Sequence, residues 1–432
     1  MAVSIHPRRW WVATTVFAAL QVASIVSAPS ASAQAAPAGP STEFDGVLAR
    51  PDVRAARQRV ADRSLAMAKD LVTLGAIESP SGREQQRAQE VARMMRAIGL
   101  VEVRVDSMPN VTGRIKGRSG RAIVFVSTLD DLASIPALQR AFGGPPRIDG
   151  TRVIGPGTNT SSTTVAMLAA AEALIARGVT PEHDLVFAAV AQEETGLIGM
   201  KALYAEWRGR AESFVDILGD GRSITYGALG IHWWRVVARG PSGHSLNGGL
   251  PNVNQAIARA VDRIFALPQP SSANNPRRTI LNVAMLQSGE VFNHKPDSGW
   301  FSVDIRSLDA EAIARNEADV QRIVREVSVE TGITLEMQVV QRTPGGQIAG
   351  ADTSRLVRAS TAVARALGVT PQLGNAGSAN LNVPIAGGTK AIGIGGERGG
   401  RRGYADEWAD ISAMMRTAQH VMLLGVILGE GR

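Results

Sequence analysis

The chain has 432 residues, 44% of them hydrophobic and 20% charged, an ordinary globular composition long enough for two domains with separate cores. It contains no cysteine, which excludes disulfides, thiolate metal sites and a cysteine nucleophile. The formal charge of +7 is spread over many arginines without a lysine-rich tail, and with no motif behind it a nucleic-acid partner is not expected.

Arg8-Arg9 precede an apolar run from Trp10 to Val26, and Ala31-Ser32-Ala33 offers an A-x-A cleavage site. Residues 1–34 therefore read as a cleaved export leader, which implies a periplasmic or secreted protein without a stable membrane anchor. The run is short for a retained anchor, and small polar residues follow it. The paired arginines fit the twin-arginine route as well as the general one. Cleavage lowers the net charge to about +5. Residues 35–46 read as a linker.

Helical spacing runs from Val53 to Thr73 and from Arg83 to Ile98, with Ser79-Pro80-Ser81-Gly82 as a loop between them. Val101 to Asp106 and Val111 to Lys116 read as strands, and Ala122 to Val126 as a strand buried on both faces. Val165 to Arg177 is a helix of small and aliphatic residues. A second buried strand, Leu185 to Val190, runs into Ala191-Gln192-Glu193-Glu194-Thr195-Gly196. Adjacent carboxylates there resist desolvation and raise each other's pKa, so a cation or a proton-using reaction is expected beside them. A solvated helix start, which acidic residues suit, is the plainer reading of the same pair. Buried strands alternating with helices predict an α/β layer with a mostly parallel sheet.

At Ile231 the texture changes. His232 to Val237 reads as a half-exposed strand, and Gly240-Pro241-Ser242-Gly243-His244-Ser245 as a loop. Asn252 to Leu267 reads as a helix, Thr279 to Leu286 and Trp300 to Ile305 as strands, Ala310 to Thr331 as a helix and Leu335 to Val340 as a strand. That order predicts a ferredoxin-like α+β insert over residues 231–342. After Gly345 the α/β texture returns, with helix Thr353 to Leu367, strand Ala391 to Ile394 and a helix from Ile411 to Leu428. The first domain is thus expected in two parts, 47–230 and 343–432. Trp233 and Trp234 read as one core and one interface residue.

Several stretches, in order, resemble metallopeptidase family 20, whose members include peptidase T, glutamate carboxypeptidase, aminoacylase and succinyl-diaminopimelate desuccinylase. These are Gly155-Pro156-Gly157, Glu193-Glu194-Thr195-Gly196, Gly240 to Ser245, Asp304-Ile305-Arg306, Gly377-Ser378 with Asn382-Val383-Pro384, and Asp406-Glu407-Trp408. The resemblance runs from about Arg54 to Leu428. It implies a zinc-exopeptidase-like α/β domain with the insert serving as dimerisation and lid domain, hence a homodimer. It also implies two zinc ions bridged by an aspartate, with a glutamate as base on the bridging water.

Placed residue by residue, the resemblance leaves that centre incomplete. Glu193 holds the base position and Asp130 the position that orients the first histidine. Glu194 and Asp220 hold retained ligand positions. Thr128, Thr160 and Gly403 stand where the first histidine, the bridging aspartate and the last histidine belong. Three of five ligands are lost, and threonine hydroxyls are poor zinc ligands at neutral pH. Arg401 or Arg402 is expected to pair with Glu194 or Asp220 in place of a metal charge, unless these are solvated loop arginines. His244, Asn293 and Arg306 match positions that hold substrate in the family, though each also has a structural reading. The expectation is an exported, catalytically degenerate relative that binds small peptides or N-acyl amino acids, with no cofactor. The rival is an amide hydrolase with an altered or single-metal zinc site and Glu193 as base. A third class is a partner-binding protein with an incidental cleft. Nucleophilic catalysis by Thr128, Thr160, Ser161 or Ser162 lacks a histidine to complete it.

Overall fold

Strands Ala391–Gly395, Ala211–Ile217, Ala122–Thr128 and Asp184–Val190 lie side by side and parallel in the computed structural model, which describes residues 34–35, 42–271 and 275–431. They form the middle of a nine-stranded sheet whose outer strands are partly antiparallel. Near-continuous apolar runs suit this position because both faces are covered. Ile123, Phe125, Leu185 and Phe187 pack on one face against helices Thr158–Ala176 and Ile411–Gly429; Phe125 and Phe187 stack at 5.5 Å. Val124, Val126, Val186 and Ala188 face the other way, toward helix Ile198–Trp207. Because the four strands run parallel, their C-terminal ends meet on one edge, where ligands bind in open α/β sheets.

The second half of the chain builds a separate antiparallel sheet. Its spatial order is Thr334–Thr343, Gly230–Arg239, Ser298–Ser307 and Ile280–Asn282, with Leu286–Ser288 also paired to Ser298–Ser307. Helices Val253–Phe265 and Ala310–Thr331 cover one face and enclose their own core of Trp234, Val236, Ile257, Phe301 and Val324. This is the ferredoxin-like order of strands and helices. Trp234 is core, while Trp233 donates its indole N–H to Asp304 at 2.9 Å.

Some expected elements take other bounds. The helix expected from Val53 to Thr73 is two helices, Pro51–Asp62 and Ser64–Gly75, broken at Arg63. The strand expected from Thr279 to Leu286 is split in two. The helix expected from Val165 begins at Thr158, seven polar residues earlier. Within the stretch read as a linker, Thr42–Phe44 forms a 3-10 turn, and Phe44 is buried in the main core. The leader, residues 1–34, lies outside the described residues except for Gln34, which pairs with Leu373 at the sheet edge. Among those described, Ile411–Gly429 is long and apolar enough to cross a membrane, yet 78% of its apolar window is buried, as befits a core helix.

Candidate active site

The candidate site gathers at the C-terminal ends of the parallel strands. The strand Asp184–Val190 ends at Ala191, whose N–H donates to the buried Asn110 side chain at 3.0 Å. Gln192 then takes a left-handed conformation, φ 54°, with its N–H on Glu84 at 3.0 Å. The chain turns so that the Glu193 and Glu194 N–H groups donate to the two oxygens of Asp130, at 2.9 and 3.1 Å. Ser81 donates to Asp130 as well, at 2.6 Å. Asp130 is fully buried and orients the paired glutamates through their backbone, where the resemblance implied a histidine for it to orient.

The next strand supplies Asp216, which is 2% exposed. Its carboxylate accepts from the Leu381 N–H at 3.0 Å and the Asn380 amide at 3.5 Å, and that amide also donates to Thr128 Oγ1 at 3.0 Å. Asp216 is thereby tied to Thr128 on the neighbouring strand, and its charge acts on Glu193. Asp220 was the expected carboxylate, and this is a correction. Four residues beyond Asp216 the chain has left the strand, and the Asp220 carboxylate accepts from Arg222 and Arg416, each at 3.3 Å. It does not join the glutamate pair.

Helix Thr158–Ala176 brings its first turn to the same edge. Thr160 and Ser161 are buried there, the Ser161 hydroxyl without a partner among the described residues. Glu407, 1% exposed, closes this end of the helix: one oxygen accepts from the Gly157 and Asn159 N–H groups at 3.1 and 2.9 Å, the other from Gly403 at 2.8 Å. Gly403 has φ +85°, a backbone suited to glycine. The loop so anchored carries the arginines. Arg402 forms an ion pair with Glu194, whereas Arg401 turns away to Asp406 at 3.0 Å and stacks on Tyr404. Arg398 lies half-buried, with its charge acting on Asp216, Glu193 and Glu407.

Burial sets the electrostatics. It pushes the Glu193 carboxyl up to about 8, helped by the charges of Glu194, Asp130 and Asp216 and opposed by Arg402. Burial likewise raises Asp216 to about 7 and Glu407 above the usual range. Arg398 is drawn down to about 10 by burial first and by Arg402 second. The acids have a reason to hold protons, and the arginines stand where positive charge is needed.

Zinc does not fit these residues. Among the described residues no three histidine, aspartate or glutamate side chains converge as ligands. Glu194 is taken by a guanidinium, and the Thr128 hydroxyl already accepts from Asn380. Among the described residues the histidines are elsewhere: His420 is buried against Ser360, His232 pairs with Glu317 and His183 with Ser119.

The expected substrate-holding residues lie on the insert, and each is engaged within it. Arg306 holds Asp304 at 3.0 and 3.1 Å. The Asn293 amide lies 3.0 Å from His244 Nε2 and 3.0 Å from His294 Nδ1. His244 Nδ1 accepts from the Leu246 N–H at 3.2 Å, and its Nε2 faces the Asn293 side-chain nitrogen, while the Asn293 oxygen faces His294.

Sequence reasoning missed Asp216, Asn380 and Arg398. Asp216 had a usable signal, a lone acid near the end of the apolar run Phe214-Val215-Asp216-Ile217, like the acids that follow Val190. Asn380 and Arg398 had none beyond their loops.

A family model described as peptidase family M20/M25/M40 matches residues 140–424. Carboxypeptidase G2 of Pseudomonas sp. is 24% identical over 338 residues, covering 75% of this chain and 78% of that protein. Succinyl-diaminopimelate desuccinylase of Corynebacterium glutamicum is 25% identical over 285 residues, 63% of this chain and 74% of that one. Among solved structures, aminopeptidase PepT from Bacillus cereus superposes with a TM-score of 0.70 at 18% identity, covering 85% of this chain and 97% of its own.

Proposed function

The chain belongs to peptidase family M20/M25/M40, and we propose that it is an exported member in which a salt-bridged polar cleft replaces the zinc centre. The cleft binds small peptides or N-acyl amino acids without metal-dependent hydrolysis. One observation carries this reading: Arg402 holds Glu194, the carboxylate a metal would need. The losses at Thr128, Thr160 and Gly403 agree with it, since a zinc site needs three or four nitrogen, oxygen or sulfur ligands. The leader residues Arg8 to Ala33 support export, and the exposed edge strand Thr334–Thr343 of the insert supports a homodimer.

The test is the metal content of the purified mature protein, followed by thermal shift with added zinc. An ion bound at about a hundred times its Kd stabilises by about 2.7 kcal/mol, a readily measured shift. The proposal expects substoichiometric zinc and no such shift. Stoichiometric zinc with peptide hydrolysis would overturn it.

A further inference from the structure

The three insert residues expected to receive a ligand's carboxylate are already committed: Arg306 to Asp304, and His244 and Asn293 to each other. The strand-end cleft has the opposite imbalance. Of its loop arginines, Arg401 is paired with Asp406 and Arg402 with Glu194. The Arg398 guanidinium has no hydrogen bond or ion pair among the described residues, although it is half-buried and stands within the field of Asp216, Glu193 and Glu407. A partly desolvated cation without an anion in contact is costly.

Its placement is built into the backbone. The Arg398 carbonyl accepts from the Asp410 N–H at 2.9 Å, and residues 399–400 pair with 408–409. A Cβ on Gly399 would overlap the Trp408 carbonyl, so the chain there can approach only as glycine. Arg398 is therefore held at a fixed position just before the strand Gly399–Gly400, where the charges of Asp216, Glu193 and Glu407 act on it.

The acids around it are mostly spoken for. Asp130 accepts from Ser81 and the two glutamate N–H groups, Glu407 from three N–H groups, and Asp216 from Leu381 and Asn380. Glu193 alone of the group has no donor on its carboxyl among the described residues, which makes it the one competitor for Arg398.

We infer that Arg398 receives the carboxylate of the ligand, so that a small peptide or N-acyl amino acid enters the strand-end cleft with its acid end inward. This rests on the reading that the cleft binds without zinc.

The probes are acetyl-alanyl-alanine and its C-terminal amide, titrated calorimetrically into the mature full-length protein. A charge-assisted contact predicts that the acid binds roughly 10- to 100-fold tighter than the amide. Arg398→Gln should bring the acid down to the level of the amide, Arg398→Lys should keep part of the difference, and Arg306→Gln should leave the ratio unchanged. Equal binding of acid and amide overturns the inference, as does a ratio lost in Arg306→Gln and kept in Arg398→Gln; both leave a zinc-free binding cleft standing. Failure of both probes to bind also overturns it. Zinc titration of the same sample then decides the reading beneath, which falls if zinc binds stoichiometrically and stands if it does not.

Discussion

The Gly403 N–H donates to the Glu407 carboxylate at 2.8 Å, so the position where the family resemblance calls for a histidine ligand is a backbone donor to an acid four residues on. The same carboxylate also caps helix Thr158–Ala176. One buried acid thereby ties the arginine loop to the helix that carries Thr160.

Glu407→Ala strands three N–H groups at once, those of Gly157, Asn159 and Gly403, in a site that is 1% exposed. Each unsatisfied buried donor costs about 1–3 kcal/mol, and partial relaxation brings the expected loss to about 3 kcal/mol. Urea unfolding measures it. A loss below about 0.5 kcal/mol, the range of ordinary surface changes, would mean the cap is replaced by water.

Asp130 discriminates between a charge role and an acceptor role. Asp130→Asn retains one oxygen for the Glu193 and Glu194 N–H groups, while Asp130→Ala retains none. We expect about 1 kcal/mol of destabilisation for asparagine and about 3 kcal/mol for alanine. Equal losses would show that its negative charge, and not its acceptor geometry, holds the loop.

Much of this arrangement was legible in the sequence. The apolar runs before Glu193 and around Phe125 mark buried parallel strands because they are too short for a core helix and need cover on both faces. The paired glutamates at the strand end mark the site. Asp216 was harder: a single acid inside Phe214-Val215-Asp216-Ile217 reads as part of the strand, whereas Asp220 between two glycines reads as a functional turn. The helix start at Thr158 was hidden because its hydroxyl residues break the apolar period while being buried against the site. Which arginine meets which acid depends on loop backbone, such as the left-handed Arg401 at φ 58°, that no spacing rule encodes.

Protonation predicts the direction of pH dependence. The Asp216 carboxyl is raised from its ordinary 3.8 to about 7 and that of Glu193 from 4.5 to about 8, in both cases chiefly by burial. Between the unfolded and folded values the native chain binds more protons than the unfolded chain, so stability falls as pH rises. Urea unfolding at pH 5 to 8 should therefore show a steady decline, on the order of a few kcal/mol in total. Asp216→Asn should lessen the slope below about pH 7 and leave the Glu193 share of the decline up to about pH 8. Stability that fails to fall over this range would mean that neither carboxyl holds its proton in the native chain.

Restoring the family's ligand types tests the proposal that a salt-bridged cleft replaces the zinc centre. Thr128→His, Thr160→Asp and Gly403→His restore three positions, and Arg402→Ala frees Glu194 from its guanidinium. Gly403 sits at φ +85°, where an L side chain costs about 1–2 kcal/mol, and its Cβ would press on Leu132 at 3.3 Å. The metal-free quadruple variant should accordingly melt below the wild type. Zinc at about a hundred times its Kd should return about 2.7 kcal/mol, which only a formed site can do. The triple variant that keeps Arg402 should gain less at the same zinc concentration, because the zinc that uses Glu194 must displace the guanidinium already paired with it. If both variants gain equally, the arginine is a bystander, and the replaced ligands alone carry the proposal.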